Sequence, residues 1–430
     1  MNLNKYILQN ADVYLNNKIE KLDIQIENGI IVKIANKIED NNNIKVIDCK
    51  NKLITTSFID PHVHFRTPGY EHKEDLETGS MAALKGGYSH VCEMPNTNPV
   101  LDTELMINKH LKHIKKQAII KIRPFSAATI SLAGHVLVDI DNISKYDIAG
   151  FSDDGKGIQN KEIMKELLIK AGQNNKLVSA HCEDEEQFIN GMGAFNEGNT
   201  TQKNNMIGIN NKSEWVMIQR DIDIIKEIHN KHPYQYHICH MSTKESLDIL
   251  KEAKKANLNV TAEVTPHHLI SDDSEIDVTD SNYKMNPPLR NKKDVQAMID
   301  GLNQGIIQCI ATDHAPHSEA EKNQDVNDAP FGIIGLELAF SLLNTYLIKT
   351  QKVTLETILK AMIDNPQKIF NIDNSLKVGN KAYLNIIDLN KDVVYTKENI
   401  KSKSKNTFYL NRELKGKIEK TIFEDKIYNW

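Results

Sequence analysis

The middle of the chain alternates short apolar runs with segments of helical periodicity, and the alternation recurs eight times. Each run ends in polar or charged residues, and the segments between runs include NKEIMKELLIKAGQ and SEWVMIQRDIDIIKEIHN. The runs are SFIDPHVH, HVCEMPNT, IIKIRPFSA, DIAGFSDD, KLVSAHCE, QYHICHMS, NVTAEVTP and IIQCIATDH. An eightfold strand–helix repeat is typical of a (β/α)8 barrel, whose active site lies at the C-terminal ends of its strands. The sequence therefore predicts an α/β protein with a TIM-like barrel.

The two ends of the chain show a different pattern. Runs of β type, such as KLDIQIENG and IIVKIAN near the start and AYLNIIDL near the end, are separated by polar turn residues. Strand-rich ends on both sides of a barrel predict a small β-sandwich built from both termini. We therefore expect a sandwich domain of residues 1–55 and 375–430, and a metal-dependent barrel domain of residues 56–374.

Charge and composition exclude several classes of function. Lys and Arg number 53 and Asp and Glu number 58, so the formal net charge is −5. Nucleic-acid binders and polybasic membrane-surface proteins usually have basic surfaces. The N-terminus lacks the pattern of a signal peptide, and the most apolar stretch, residues 332–348, is interrupted by Glu337 and Asn344. The five cysteines are not closely spaced, so we expect a protein of the reducing cytoplasm.

Histidines and aspartates stand at the ends of five of the predicted strands. His62 and His64 are two residues apart, so both imidazoles point to the same face of a strand. The whole set is His62, His64, Asp154, His181, His240 and Asp313. Because strand ends meet at one rim of a barrel, we expect these side chains to lie together. Nitrogen and oxygen ligands without thiolate suit Zn²⁺ or a similar divalent ion in an open catalytic site.

Each of these residues also has a purely structural interpretation. His181 could be a buried, hydrogen-bonded histidine, and residues 153–155 could form only a turn. We favour the metal site because all the structural interpretations would have to coincide at matching strand ends. Cys182 and Cys239 are expected to be small core residues on the opposite face, and His110 is expected at the surface.

Motifs along the whole chain resemble one family. The run DPHVHFRTPGYEHKED resembles the signature of dihydroorotases of the long bacterial type, class I, within the amidohydrolase superfamily. Later blocks of that family resemble MPNTNP, FSDDG, HCED, EVTPHHL, NPPLR, ATDHAPH and PFGIIGLE, in the same order. The resemblance implies a zinc-dependent cyclic amidohydrolase that interconverts N-carbamoyl-L-aspartate and L-dihydroorotate in de novo pyrimidine (UMP) biosynthesis.

The resemblance also implies roles for the metal ligands. One Zn²⁺ would be bound by His62, His64 and Asp313, a second by His181 and His240, with Asp154 as the bridge. Related hydantoinases and allantoinases generally place a carboxylated lysine at the bridge, where this chain has Asp154. Whether one ion or two are bound stays open.

In the implied mechanism a metal-activated hydroxide attacks the ring carbonyl, since a bound metal lowers the pKa of water to about 7. Asp313 would act as general base and then general acid, and its alternative role is that of a ligand only. Arg66 would grip the substrate carboxylate with two parallel hydrogen bonds. The implied substrate contacts are His64, Arg66, Asn96, Asn286, His317 and the backbone of Phe331 and Gly332.

Two alternatives to an active dihydroorotase stay open. One is another cyclic amidase, such as a dihydropyrimidinase or allantoinase, and the other is a non-catalytic barrel that accompanies aspartate transcarbamoylase. Association of an active enzyme with the transcarbamoylase, and a homodimer, also stay open. The family's N-T-P-F motif is Asn406-Thr407-Phe408 here, without the proline, and we expect this change to affect only the sandwich. Residues 318–328 are expected to form a mobile loop beside the site.

Overall fold

The computed structural model describes residues 4–39, 44–188 and 191–430. Within these residues, eight parallel strands occupy the eight predicted runs. They are Phe58–Val63, Tyr88–Glu93, Lys121–Pro124, Gly150–Phe151, Leu177–Ala180, Tyr236–Ile238, Val260–Val264 and Cys309–Ile310. Most of their residues are buried, as expected for parallel strands that are covered on both faces.

Neighbouring strands follow the order of the chain around a ring. The first three strands form one parallel ladder and the last five form another. Single parallel bridges, Ser126 with Phe151 and Val63 with His314, join the two ladders. The hydrogen bonding therefore passes from each strand to the next, and the predicted (β/α)8 architecture is confirmed.

Helices cover the outside of this ring. The longer ones are Leu76–Lys85, Glu104–Gln117, Lys161–Gln173, Lys212–Ile228, Lys244–Lys255 and Lys292–Asn303. Shorter ones are Ile140–Ile143, Asn199–Lys203, Pro266–Ile270, Glu319–Lys322, Ala339–Leu343, Leu355–Leu359 and Asn365–Ile369, with wide π-type turns at Asn344–Ile348 and Lys360–Asp364. Side chains of Asp75, Asn160 and Asn291 cap three of the long helices by accepting hydrogen bonds from first-turn amides. No helix in the described ranges is both long and apolar enough to cross a membrane.

Both ends of the chain contribute to one further sheet. Its strands are Lys5–Leu15, Lys18–Glu27, Ile30–Ala35, Lys45–Asp48, Leu53–Thr56, Tyr383–Val394, Glu413–Phe423 and Lys426–Asn429. Leu53–Thr56 pairs with Lys5–Leu15 on one side and with Tyr383–Val394 on the other, so it joins the two ends. The predicted association of both termini in one strand-rich unit is confirmed, whereas domain boundaries at residues 55/56 and 374/375 stay a prediction.

The terminal sheet has two apolar faces. Leu8, Ile24, Leu384 and Ile422 belong to a separate apolar cluster on one face. Side chains on the other face belong to the main core of the barrel; they include Tyr14, Leu53, Tyr383, Ile387, Ile418 and Phe423. The sheet is therefore packed against the barrel through apolar contacts.

Candidate metal centre

The six predicted ligands lie at the C-terminal ends of five barrel strands. His62 is in Phe58–Val63 and His64 follows it, while the others follow Gly150–Phe151, Leu177–Ala180, Tyr236–Ile238 and Cys309–Ile310. All six are buried. The barrel topology thus brings together residues that are up to 251 positions apart in the chain.

Asp154 is at the centre of the cluster. Its Oδ1 lies 3.3 Å from His62 Nε2, 3.7 Å from His240 Nε2 and 3.8 Å from His181 Nδ1. Its Oδ2 lies 3.5 Å from His64 Nε2. One carboxylate therefore contacts histidines from three different strand ends, which is the geometry a bridging ligand needs.

Asp313 is on the same side of the cluster as the His-x-His pair. Its Oδ1 lies 3.0 Å from His64 Nε2 and 3.5 Å from His62 Nε2. On the opposite side, His181 Nδ1 and His240 Nε2 are 3.0 Å apart. The ligands thus fall into two groups that share Asp154.

Unpaired polar atoms in the cluster fit a bound cation. His62 Nε2 and Asp154 Oδ1 are buried, and neither has a hydrogen-bond partner among the described residues. Buried polar atoms of this kind cost free energy unless something satisfies them. A divalent ion among these nitrogens and carboxylates would satisfy both atoms, so the donor set fits a metal.

Opposite charges dominate the electrostatics of the cluster. Burial lowers the pKa of a histidine, but Asp154, Asp313 and Glu263 outweigh burial at His62 and hold its pKa well above the usual value. Burial likewise raises the pKa of a carboxyl, but His62 and its neighbours hold the pKa of Asp154 well below the usual range. The nearby histidines also outweigh burial at Asp313 and lower its pKa. The two carboxylates are therefore ionised at neutral pH.

Glu263, in the strand Val260–Val264, is a residue of the candidate site that the sequence interpretation missed. Its Oε1 lies 2.7 Å from His62 Nδ1, and its Oε2 lies 3.0 Å from His237 Nε2. Because His62 Nδ1–H donates to this carboxylate, Nε2 is left to face Asp154. A carboxylate behind a ligand histidine fixes its tautomer and its orientation.

Two of the predicted substrate residues contact histidines of the cluster. Asn96 Oδ1 lies 2.9 Å from His64 Nδ1, so it holds His64 as Glu263 holds His62. Asn286 Nδ2 donates to Glu183 Oε1 at 2.9 Å and lies 3.5 Å from His181 Nε2. Glu183 was not predicted, although it follows His181 by only two residues, just beyond the strand Leu177–Ala180.

The other predicted substrate residues form a second group beside the cluster. Arg66 Nη2 lies 3.1 Å from His317 Nε2, and that nitrogen lies 2.8 Å from Phe331 O. Burial and the nearby cations Arg66, Lys73 and Lys322 hold the pKa of His317 far below its usual value, so it is neutral. Arg66 and His317 thus meet the backbone of Phe331–Gly332 at one edge of the centre.

Residues 318–328, expected as a mobile loop, are held by two lysines. Lys322 is buried and donates to Pro330 O at 2.9 Å and to Gly332 O at 3.1 Å. Lys284 donates to the carbonyl oxygens of Val326 and Asn327, both at 2.8 Å. Lys284 therefore connects the loop to a neighbouring segment, and Lys322 connects it to residues 330–332.

Three expectations about individual residues are decided by the contacts. His110 is not at the surface: it is buried, and its Nε2 lies 2.8 Å from Glu93 Oε2. Asn406 does not belong to the sandwich alone, because it contacts His317 at the rim of the barrel. Cys239 is a buried residue, as expected, but it is not remote from the cluster, because its thiol lies close to His62. The thiol lies 3.0 Å from Ser179 Oγ, and burial raises the pKa of Cys239 to about 12.

Comparisons with known proteins identify the family to which the chain is similar. A protein-family model described as dihydro-orotase-like matches residues 51–246. A curated dihydroorotase of Geobacillus sp. is 41% identical over 399 residues, which cover 93% of this chain and 92% of the relative. A dihydroorotase of Staphylococcus epidermidis is 40% identical over 423 residues, 98% of each chain.

Solved structures show the same fold at lower identity. A dihydropyrimidinase from Brevibacillus agri superposes with a TM-score of 0.85 at 18% identity, covering 98% of this chain and 94% of that one. An L-hydantoinase from Arthrobacter aurescens gives a TM-score of 0.84 at 20% identity, covering 98% and 95%. At these identities the likeness concerns the fold, a barrel with a sandwich made from the chain ends.

Proposed function

The chain belongs to the dihydroorotase family, amidohydrolases of pyrimidine biosynthesis, and we propose that it opens and closes the dihydroorotate ring at the cluster around Asp154. The observation that supports this most is that four expected histidine ligands converge on the buried carboxylate of Asp154, while Asp313 contacts two of the same histidines. The reaction interconverts L-dihydroorotate and N-carbamoyl-L-aspartate, which is hydrolysis of a cyclic amide and its reverse.

The proposed cofactor is Zn²⁺, one or two ions per chain, and Asp154 would bridge the two ions if both are bound. His62, His64 and Asp313 would hold the first ion, and His181 and His240 would hold the second. A bound divalent ion lowers the pKa of water to about 7 and polarises a carbonyl oxygen. The unpaired His62 Nε2 and Asp154 Oδ1 support this assignment.

Asp313 is proposed as the acid–base group. Its carboxylate is ionised, because the nearby histidines outweigh its burial and lower its pKa. It can therefore accept a proton from the attacking water and deliver that proton to the leaving ring nitrogen. Asp313 contacts His64, and Arg66 follows His64 by two residues in the chain.

The proposed substrate wall consists of Arg66, Asn96, His317 and the backbone of Phe331–Gly332. Arg66 keeps its charge at neutral pH, although burial lowers its pKa to about 10, and a guanidinium can grip a carboxylate with two hydrogen bonds. Neutral His317 contributes a hydrogen bond without adding a second buried charge. Asn286, beside His181, is proposed to contact the amide edge of the ring.

Turnover of L-dihydroorotate by the metal-loaded chain tests this function. We expect the Asp313→Asn variant to lose activity by a factor of about 10² to 10⁴, because it lacks the carboxylate that transfers the proton. Asp221→Asn, which changes a buried aspartate paired with Arg220, is the matched control and should keep most of the activity. A metal count on each variant separates loss of the proton carrier from loss of a ligand.

Activity of the wild type on uncharged dihydropyrimidines but not on L-dihydroorotate would contradict the proposal and favour another cyclic amidase. We further propose a cytoplasmic location, in line with the biosynthetic role of the family. Association with aspartate transcarbamoylase, and a homodimer, are proposals that the mass of the protein in solution, alone and mixed with the transcarbamoylase, would decide.

A further inference from the structure

Asn406 comes from the segment between the terminal strands Tyr383–Val394 and Glu413–Phe423, yet its side chain is buried at the rim of the barrel. Its Oδ1 accepts a hydrogen bond from His317 N–H at 3.0 Å. Its Nδ2 donates to Ala315 O and to Gly332 O, each at 3.1 Å. The carboxamide therefore connects two separate segments of the barrel rim.

The two rim segments, residues 314–317 and 332–334, are also paired directly with each other. Ala315 N–H donates to Ile333 O at 2.9 Å, and His314 forms a parallel bridge with Ile333. Asn406 continues the pairing beyond this point, and its own carbonyl accepts from Ile334 N–H at 2.9 Å. The position of His317 relative to Gly332 thus depends on a residue from the C-terminal part of the chain.

The packing at this position leaves little freedom. Gly332 has φ of +119°, and a Cβ there would lie 2.5 Å from the Cβ of Ala315. Gly332 O accepts a second hydrogen bond from Lys322, whereas His317 N–H donates only to Asn406 among the contacts found in the described residues. Loss of the carboxamide would leave buried main-chain groups without partners, which costs free energy and favours rearrangement.

We propose that Asn406 is a positioning residue that fixes one part of the substrate wall, namely His317, Phe331 and Gly332. It acts through the backbone and touches neither substrate nor metal. Part of the substrate affinity then resides outside the barrel segments that form the metal centre. The inference rests on the proposed function, because it assumes that these three residues bind the substrate.

The test compares Asn406→Ala and Asn406→Ser with a matched control, Asn385→Ala. Asn385 is another buried asparagine, which donates to Gly87 O at 2.9 Å in the terminal sheet, away from the metal centre. For Asn406→Ala we expect KM for L-dihydroorotate to rise about tenfold, the equivalent of one or two lost hydrogen bonds. We expect kcat to change less than about threefold and the metal content not to change.

Asn406→Ser replaces the carboxamide by a hydroxyl, which can still donate or accept one hydrogen bond, and should give a KM between those of the wild type and Asn406→Ala. Asn385→Ala should lower the melting temperature but leave KM unchanged. An unchanged KM in Asn406→Ala, or an equal rise in the control, would overturn the inference. So would a fall in kcat with no change in KM.

Amide hydrogen exchange without substrate gives a second readout. In Asn406→Ala, residues 315–317 and 331–334 should exchange faster than in the wild type, and in Asn385→Ala they should not. If the wild type fails to turn over L-dihydroorotate, the proposed function is wrong, and the exchange experiment still decides whether Asn406 holds the wall. Equal exchange in all the variants would refute the positioning role.

Discussion

At the scale of single residues, Glu263 determines which nitrogen of His62 faces the metal centre. It also accepts from His237, so two histidines depend on one buried carboxylate. The chain contains a comparable pair away from the centre, in which Glu93 contacts His110 at 2.8 Å and both side chains are buried. The two pairs differ in whether the histidine is a proposed ligand.

This difference leads to a prediction about metal affinity. Glu263→Gln should weaken metal binding about 10- to 100-fold, because a neutral amide fixes the orientation and basicity of His62 less firmly. Competition with a chelator of known affinity measures the effect. Glu93→Gln is the control and should keep the affinity of the wild type. Equal losses in both variants would show that a general loss of stability is responsible.

The histidines and aspartates of the cluster could be predicted from the sequence, and the residues that support them could not. His62 and His64 are recognisable because the period of a strand puts both on one face, and Asp154, His181, His240 and Asp313 each follow an apolar run. Glu263 is the fourth residue of a five-residue strand, and no local signal relates it to His62, 201 positions away. Asn406 was assigned to the sandwich for a similar reason: only the tertiary structure brings it to His317.

At the scale of elements, the loop beside the site is organised by Lys322. The mobility that polar composition predicts for residues 318–328 stays a prediction, and composition does not show which carbonyl oxygens a lysine side chain contacts. Lys322 donates to the main-chain oxygens of Lys284, in a neighbouring segment, and of Pro330, just after the loop. Burial together with the nearby Lys284 lowers the pKa of Lys322 to about 7. Asp280 raises the pKa of Lys322 but does not outweigh these two effects.

The lowered pKa predicts a pH dependence of stability. Between pH 7 and the usual lysine pKa of 10.5, unfolding takes up a proton at Lys322, so its contribution to the free energy of unfolding becomes more favourable as pH rises. Relative to Lys322→Met, the wild type should therefore gain stability from about pH 7 to about pH 10. Urea unfolding of both proteins across this range measures the difference.

Exposed Lys112 offers a control for that experiment, because Lys112→Met changes the same charge without removing a buried ammonium group. The difference in stability between wild type and Lys112→Met should stay nearly constant with pH. A constant difference for Lys322→Met as well would show that Lys322 keeps an ordinary pKa in the folded protein.

At the scale of the whole molecule, the terminal sheet connects two of the apolar clusters, the main core and the separate cluster of the sheet. Ile418 packs in the main core with the barrel, and Ile422, four residues later in the same strand, packs in the separate cluster of the sheet. A loss of packing in this strand therefore affects both the main core and the separate cluster. The eightfold alternation and strand-rich ends made this architecture predictable, but the continuous pairing through Leu53–Thr56 is a long-range contact that no local pattern specifies.

We predict that the terminal sheet and the barrel unfold in one transition. Ile418→Ala and Ile422→Ala should each cost about 2 to 5 kcal/mol of unfolding free energy and should lower the same melting temperature. Scanning calorimetry of the metal-loaded protein measures this. Val394→Ala, at a largely exposed position of the same sheet, is the control and should change little. Two resolved transitions, only one of them shifted by Ile422→Ala, would show independent domains instead.

The position of Leu53–Thr56 inside the terminal sheet also sets an order of events during synthesis. Its partner Tyr383–Val394 emerges from the ribosome more than 300 residues later. At about 5 to 20 residues per second, the first strands wait roughly 15 to 65 s with one edge unpaired. An unpaired edge can recruit strands of other chains. The nascent chain must therefore protect its earliest strands until its last ones have been made.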